Sequence, residues 1–164
     1  VGHHGLVMER GLPTDATLYV NRDGGHVYDL VAHAKVDVER GDGYLGISRH
    51  FGPCEGALYM ISERAIDRVD IEAPDTASRD EQVNVQVSIV DAAGQPLDAV
   101  VPVDIEIRDA DGQLAEYSGY YGANDGSVRL TLDIAPNARP GMWQVRATEL
   151  ASEQVGHAYF RVSK

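Results

Sequence analysis

The residues equipped for chemistry are 26 Asp and Glu, six His and one Cys. A glycosidase needs two carboxyls about 5–9.5 Å apart across a cleft. So many carboxylates supply such pairs by coincidence, and the scaffold beneath them decides. No alternation of strand and helix able to build a barrel is present, nor a Gly-x-Ser-x-Gly elbow, nor a phosphate-binding loop. His3 and His4 could gather around a metal with His26, His33, His50 or His157. Adjacent His3 and His4 point opposite ways in an extended strand, however, and no His-Glu-x-x-His or Cys-x-x-Cys spacing accompanies them. The expectation is no catalytic residue, no metal site and no cofactor.

Two acidic turns, Asp109-Ala-Asp111-Gly112 and Asn124-Asp125-Gly126, offer the oxygen ligands that Ca²⁺ takes. They are also what tight hairpins require, because Asn, Asp and Gly tolerate positive φ. Neither continues into an EF-hand loop, so both are read as plain turns. Cys54 in FGPCEG has no second cysteine to pair with and reads as a small, semi-buried residue. With 14 Lys and Arg the net charge is −12, which argues against nucleic acid and anionic membrane as partners, since both need basic patches. Residues 1–68 hold 7 basic and 10 acidic side chains, and residues 69–164 hold 7 and 16. No run of about 18 apolar residues spans a membrane and no export signal opens the chain. The first residue is Val, which reads as a processed chain or an excised piece with any signal lying outside it.

The elements that must position these residues alternate with period two and are punctuated by Gly, Pro and Asp. TLYV, HVYDLV, AKVDVE, GYLGIS and GALYMI predict a small antiparallel meander. Within it Val36, Val38, Leu45 and Ile47 share one face and Asp37, Glu39 and Gly46 the other. From Ile66 onward come IDRVDIEAP, QVNVQVSIV, VPVDIEIRD, LAEYSGYY, VRLTLDI, MWQVRATEL and HAYFRV. Val83, Val85, Val87 and Ile89 alternate with Asn84, Gln86 and Ser88. Strands of this length with turn signals about every 8–12 positions form the pattern of an immunoglobulin-like sandwich. The fold class is therefore all-β: a small antiparallel domain with an extended N-terminal segment over residues 1–68, then a seven-stranded immunoglobulin-like sandwich over 69–164. The short IDRVDIEAP passage predicts a fixed orientation between them.

Aromatic residues admit two readings. Trp143, the only tryptophan, shares its face with Val145 and Ala147, and reads as a core plug rather than a sugar platform. Tyr117, Tyr120 and Tyr121 crowd around Gly119 in what should be an outer strand or loop. Because Tyr120 and Tyr121 face opposite sides, at least one ring is expected at the surface, where it suits protein contacts or carbohydrate stacking alike.

Residues 69–164, from VDIEAPDTASRDEQVNVQVSIVDAAGQPL through PVDIEIRDADGQ to ARPGMWQVRATELASEQVGHAYFRV, resemble macroglobulin-type and related bacterial immunoglobulin-like domains, with Gly141-Met-Trp143-Gln-Val145 in the Gly-x-Trp-x-Val strand. The thioester motif of complete macroglobulins, of the Cys-Gly-Glu-Gln type, is missing, so protease entrapment is not implied. Residues 16–72, through VYDLVAHAKVDVERGDGYLGISRHFGPCEGALYMI, resemble the small β domain at the C-terminal end of beta-galactosidase-like glycosidases. That domain carries no catalytic carboxylate, which implies an accessory module.

The two resemblances together predict a non-catalytic tandem module of a larger exported bacterial protein, carbohydrate-active or on the cell surface. Its partners are neighbouring domains, other copies of itself or a glycan, and its location is extracytoplasmic: secreted, periplasmic or cell-surface. The alternative is a self-associating filament or surface-layer subunit, in which the N-terminal segment carrying His3, His4, Leu6, Val7 and Met8 adds as a strand to another copy's sheet.

Overall fold

A computed structural model describes residues 11–163. The described residues form strands, turns and loops with no helix, and the chain divides into two compact units between Glu63 and Arg64.

The first unit holds β1 (Thr14–Asn21), β2 (His26–Asp29), β3 (Ala34–Val36), β4 (Glu39–Gly41), β5 (Tyr44–Phe51) and β6 (Tyr59–Ser62). These build two three-stranded sheets, ordered β1-β5-β4 and β3-β2-β6. The expected meander is corrected here, because β1 pairs with β5 in an unbroken register from Thr14 opposite Phe51 to Asn21 opposite Tyr44. Alternation specifies which face of a strand is apolar and leaves its partner open. The run AKVDVE likewise splits: Val36 pairs with Val27 in one sheet and Glu39 with Gly46 in the other. The chain changes sheets at Asp37–Val38 while keeping both valines inward. Val36 and Val38 thus pack on the buried cluster of Val27, Leu45 and Ile47, as their shared face requires.

The second unit holds β7 (Arg68–Glu72), β8 (Thr76–Ala77), β9 (Gln82–Val90), β10 (Val101–Arg108), β11 (Gly119–Ala123), β12 (Ser127–Asp133), β13 (Gly141–Glu149) and β14 (Val155–Val162). One sheet runs β11-β10-β13-β14-β8 and the other β12-β9-β7. All pairings are antiparallel except the two-residue β8, which lies parallel to β14. Val83, Val85, Val87 and Ile89 of β9 are buried, as are Val101, Val103, Ile105 and Ile107 of β10. Each such side chain contributes about 1.5–3 kcal/mol when taken fully out of water. This is the immunoglobulin-like sandwich that the alternation predicts.

One expected strand is displaced. LAEYSGYY was expected to be extended throughout, yet regular pairing begins only at Gly119 opposite Ile105. Before it, the Ser118 hydroxyl takes the place of a backbone partner: Ile107 N donates to Ser118 Oγ at 2.9 Å and Ser118 Oγ donates to Ile107 O at 3.2 Å. A short polar side chain competes with the ladder for backbone groups and holds the chain off it.

Trp143 points inward. It is 8% exposed, its ring lies 5.7 Å from that of Phe160, and its indole N–H donates to Arg139 O at 3.2 Å. Replacing it removes the largest ring of the core together with this hydrogen bond. Trp143→Ala is expected to destabilise the second unit by about 3–5 kcal/mol, measured by urea unfolding followed by far-ultraviolet circular dichroism. An unchanged midpoint would return Trp143 to the role of a surface platform.

Candidate interaction surfaces

The three tyrosines do not form one patch. Tyr121 is half-buried and donates through its hydroxyl to Tyr117 O at 2.7 Å. Tyr117 is half-buried too. Its hydroxyl accepts from Asp133 N at 2.9 Å and donates to Asp133 Oδ2 at 3.3 Å, tying the approach to β11 to the end of β12. Tyr120 alone is 79% exposed, opposite Asp104 on the outer edge of the five-stranded sheet. Two rings are thus held by hydrogen bonds within the unit, and one is exposed.

The acidic turns use their oxygens internally. Asp109 Oδ1 accepts from Asp111 N and Gln113 N, both at 2.9 Å, while Gly112 takes φ +79°. The same geometry recurs in Asp91-Ala-Ala-Gly94-Gln95, where Asp91 Oδ1 accepts from Ala93 N and Gln95 N at 2.9 Å. That repeat is legible in the sequence as DAAGQ and DADGQ. Arg64 pairs with the other oxygen of Asp91 at 2.7 Å, and Arg139 with Asp111 at 3.0 Å. At Asn124-Asp125-Gly126 the positive φ values, 48° at Asp125 and 70° at Gly126, are those of a tight hairpin. A Cβ on Gly126 would stand 2.4 Å from Leu97 N, so only glycine fits. Among the described residues no three of His, Cys, Asp and Glu are grouped to hold a metal ion.

Sequence reasoning passed over two buried carboxylates. Glu149, 0% exposed, accepts from the backbone N–H groups of Ala151, Ser152 and Gln154 at 2.8–3.1 Å and from the Ser152 hydroxyl at 2.6 Å, organising the hairpin between β13 and β14. An acid three residues before a serine was the available signal. Asp29, at the end of β2, accepts from Val31 N at 2.9 Å and Ala32 N at 3.1 Å and pairs with Arg49 of β5. The other arm of Arg49 reaches Glu55 at 2.6 Å, whose second oxygen accepts from Gly52 N at 2.8 Å. The guanidinium also stands 5.5 Å from the centre of the Phe51 ring. These partners lie 20 and 6 residues from Arg49 in sequence, and no local pattern joins them. Burial pushes the Asp29 carboxyl up, but the N–H groups of Ala32 and Val31 and the Arg49 charge outweigh it, leaving it below the usual carboxylate range. Cys54, expected semi-buried, is exposed with φ +59°, because the turn capped by Glu55 lies at the surface.

Beside this cluster runs a groove of about 370 Å³ between β1, β5 and the segment entering β6. Its apolar lining is Ala16, Leu18, Ile47, Phe51, Ala57 and Tyr59, and Leu18 is 52% exposed. Both flanking strands, β1 and β6, end their sheets among the described residues. His3, His4, Leu6, Val7 and Met8, the segment expected to exchange strands, lie outside the described residues.

Residues 79–162 match the MG2 domain family, which is macroglobulin-type. This stretch takes in the sandwich from the turn before β9 to the end of β14. The chain belongs to the MG2 domain family. The MG2 domain is a non-catalytic immunoglobulin-like domain of a kind found in extracellular proteins. No curated protein matches the chain. Similar solved structures include a superoxide reductase from Ignicoccus hospitalis, 16% identical over 60% of this chain and 82% of that one, with a TM-score of 0.44. The PKD domain of an M14-like peptidase from a Thermoplasmatales archaeon is 19% identical over 61% of this chain and 100% of that one, at 0.40. The Yersinia pseudotuberculosis adhesin InvE is 9% identical over 93% of this chain and 49% of that one, at 0.46. No described helix is long and apolar enough to cross a membrane.

Two predictions concern the acids of this MG2 protein. Asp91→Ala and Asp109→Ala are each expected to lower stability by about 1–2 kcal/mol, whereas added Ca²⁺ leaves the thermal midpoint in place. A rise of several degrees with Ca²⁺ would show that the turns are ligands. Asp29→Ala leaves Arg49 without its buried partner and is expected to cost about 3–5 kcal/mol in urea unfolding at pH 7. The folded value of Asp29 lies below its ordinary 3.8. Its contribution is therefore full well above pH 3.8 and is lost as pH falls through the folded value. The difference between wild type and Asp29→Ala should shrink in that acid window and nowhere else.

Proposed function

We propose that the chain is a non-catalytic tandem β module of a larger exported bacterial protein, accessory or structural, acting through domain packing and through protein or glycan contacts. The observation that carries this reading is the use made of the buried ionisable groups. Among the described residues the buried carboxylates are Asp29 and Glu149, and each accepts backbone N–H groups of its own loop. A carboxylate whose oxygens are committed to two or more backbone donors is occupied in holding its loop, and Asp29 is further kept below the usual carboxylate range by those donors and Arg49, the reverse of an acid poised to give up a proton. MG2 membership supports an extracytoplasmic setting, and the resemblance of residues 16–72 to an accessory glycosidase domain supports attachment to a larger enzyme or surface protein.

Tyr120 is the contact residue of this reading on the second unit. It is an exposed ring on a paired edge strand, so its backbone is held while its face is offered. Tyr120→Ala is expected to leave unfolding within about 0.5 kcal/mol of wild type and to weaken binding to a glycan or protein partner by about 1–2 kcal/mol. Calorimetric titration against a polysaccharide panel measures the glycan arm, with a glycoside turnover assay run on the same preparation. Turnover abolished by a single carboxylate substitution would overturn the non-catalytic reading.

A further inference from the structure

Among the described residues, no strand pairs with the outer edge of β1. Its eight residues, TDATLYVN, pair with β5 without a bulge and include one charge, Asp15, no Lys and no Pro. Natural sheets blunt such edges with Lys, Pro, bulges or a covering segment, because the unpaired N–H and C=O groups are a template for another strand. On the core side of the same edge the groove exposes Leu18, with Ala16, Ile47, Phe51, Ala57 and Tyr59 around it. Free backbone groups beside an apolar slot fit an extended peptide with apolar residues at alternate positions. Neither a helix nor a small molecule satisfies both features.

We propose that this seam accepts residues 3–8 of a second copy of the chain as an antiparallel strand beside β1, with Leu6 opposite Leu18 and Met8 opposite Ala16. Opposed residues of an antiparallel pair share a face. This register therefore sends Leu6 and Met8, two residues apart, into the groove, and His3, Gly5 and Val7 to the other side. Its six pairs, from His3 opposite Asn21 to Met8 opposite Ala16, hold no like charges, and the next position in the same register sets Glu9 opposite Asp15.

The reason for a second copy lies in Leu12-Pro13. Closing the same register within one chain leaves Gly11, Leu12 and Pro13 as a three-residue hairpin loop. Such a loop ordinarily needs its last residue in the left-handed region. Proline is locked near φ −65°, and the residue before it is driven to extended geometry. Gly11–Pro13 are indeed outside any strand, and Leu12 is 90% exposed. A connection that resists this tight turn favours giving the segment to another copy over folding it back in the same register, the condition under which identical elements exchange between copies. The inference develops the self-associating alternative and stands apart from the accessory-module reading, which a monomer would leave intact.

The test is the mass of the 164-residue chain in solution, by light scattering and sedimentation across micromolar concentrations. Two variants accompany it: a donor-dead chain, Leu6→Asp with Met8→Asp, and an acceptor-dead chain, Leu18→Lys. Leu18 is half exposed, and circular dichroism confirms that each variant is folded. The expected result is a wild-type assembly of two or more chains, and at least about a tenfold weaker association for each variant alone, an apolar side chain being worth more than that factor. An equimolar mixture of the two variants should recover a one-to-one pair, since each supplies what the other lacks. A wild-type monomer at every concentration overturns the proposal and assigns the segment to its own seam or to solvent. An assembly unaffected by Leu6→Asp with Met8→Asp overturns it in favour of direct pairing between β1 edges.

Discussion

The inward row of β9, Val83, Val85, Val87 and Ile89, is the constraint on which the second unit depends. Four apolar side chains on one face of one strand cannot be shielded by that strand's own sheet. They require a second layer, and β10 and β13 supply it with Val101, Val103, Ile105, Ile107, Val145 and Ala147, all buried. Trp143 and Phe160 add their paired rings to the same interior. Once the two layers are committed, the outward residues are free to be Asn, Gln, Arg and Thr, and cross-strand hydrogen bonds such as Thr131 to Asn84 at 2.9 Å follow from the register.

What closes the layers is a set of acids used as loop organisers. Asp91 and Asp109 each hold two N–H groups of a Gly-containing turn, Glu149 holds three, and Asp29 holds two while binding Arg49. An ionised carboxylate is a strong acceptor, and loops in an all-β chain carry backbone donors that no ladder satisfies. The acidic balance of the chain therefore serves its turns as well as its solubility. The same chemistry accounts for an MG2 domain rich in carboxylates with a structural use for them.

The first unit meets its constraint less completely. Its two sheets share the cluster of Val27, Leu45 and Ile47, but β1 ends its sheet among the described strands, with Leu18 half exposed beside an open groove. Arg49 marks the limit of the closed part. Its stem borders the groove, while its head group is fully engaged by Asp29 and Glu55. The contrast with the second unit is one of layer coverage: β9 lies in the middle of its sheet, and β1 at the end of its own.

The amino-acid sequence by itself determined the all-β class, the inward row of β9, the burial of Trp143 and the hairpin role of Asp109 and of Asn124-Asp125-Gly126. These follow from period-two alternation and from residues that tolerate positive φ, and both are local. Only the tertiary structure decided that β1 pairs with β5, that AKVDVE serves two sheets, that Ser118 delays the start of β11, and that Asp29 and Glu55 meet on Arg49. Of the candidate contact residues, the crowding of Tyr117, Tyr120 and Tyr121 was legible, but which ring stays exposed was not. That depended on Asp133, distant in sequence, capturing the Tyr117 hydroxyl. A strand's alternation says which side is apolar. Its partner, and the charges it meets across the fold, are chosen by the competition of all strands for the same interior.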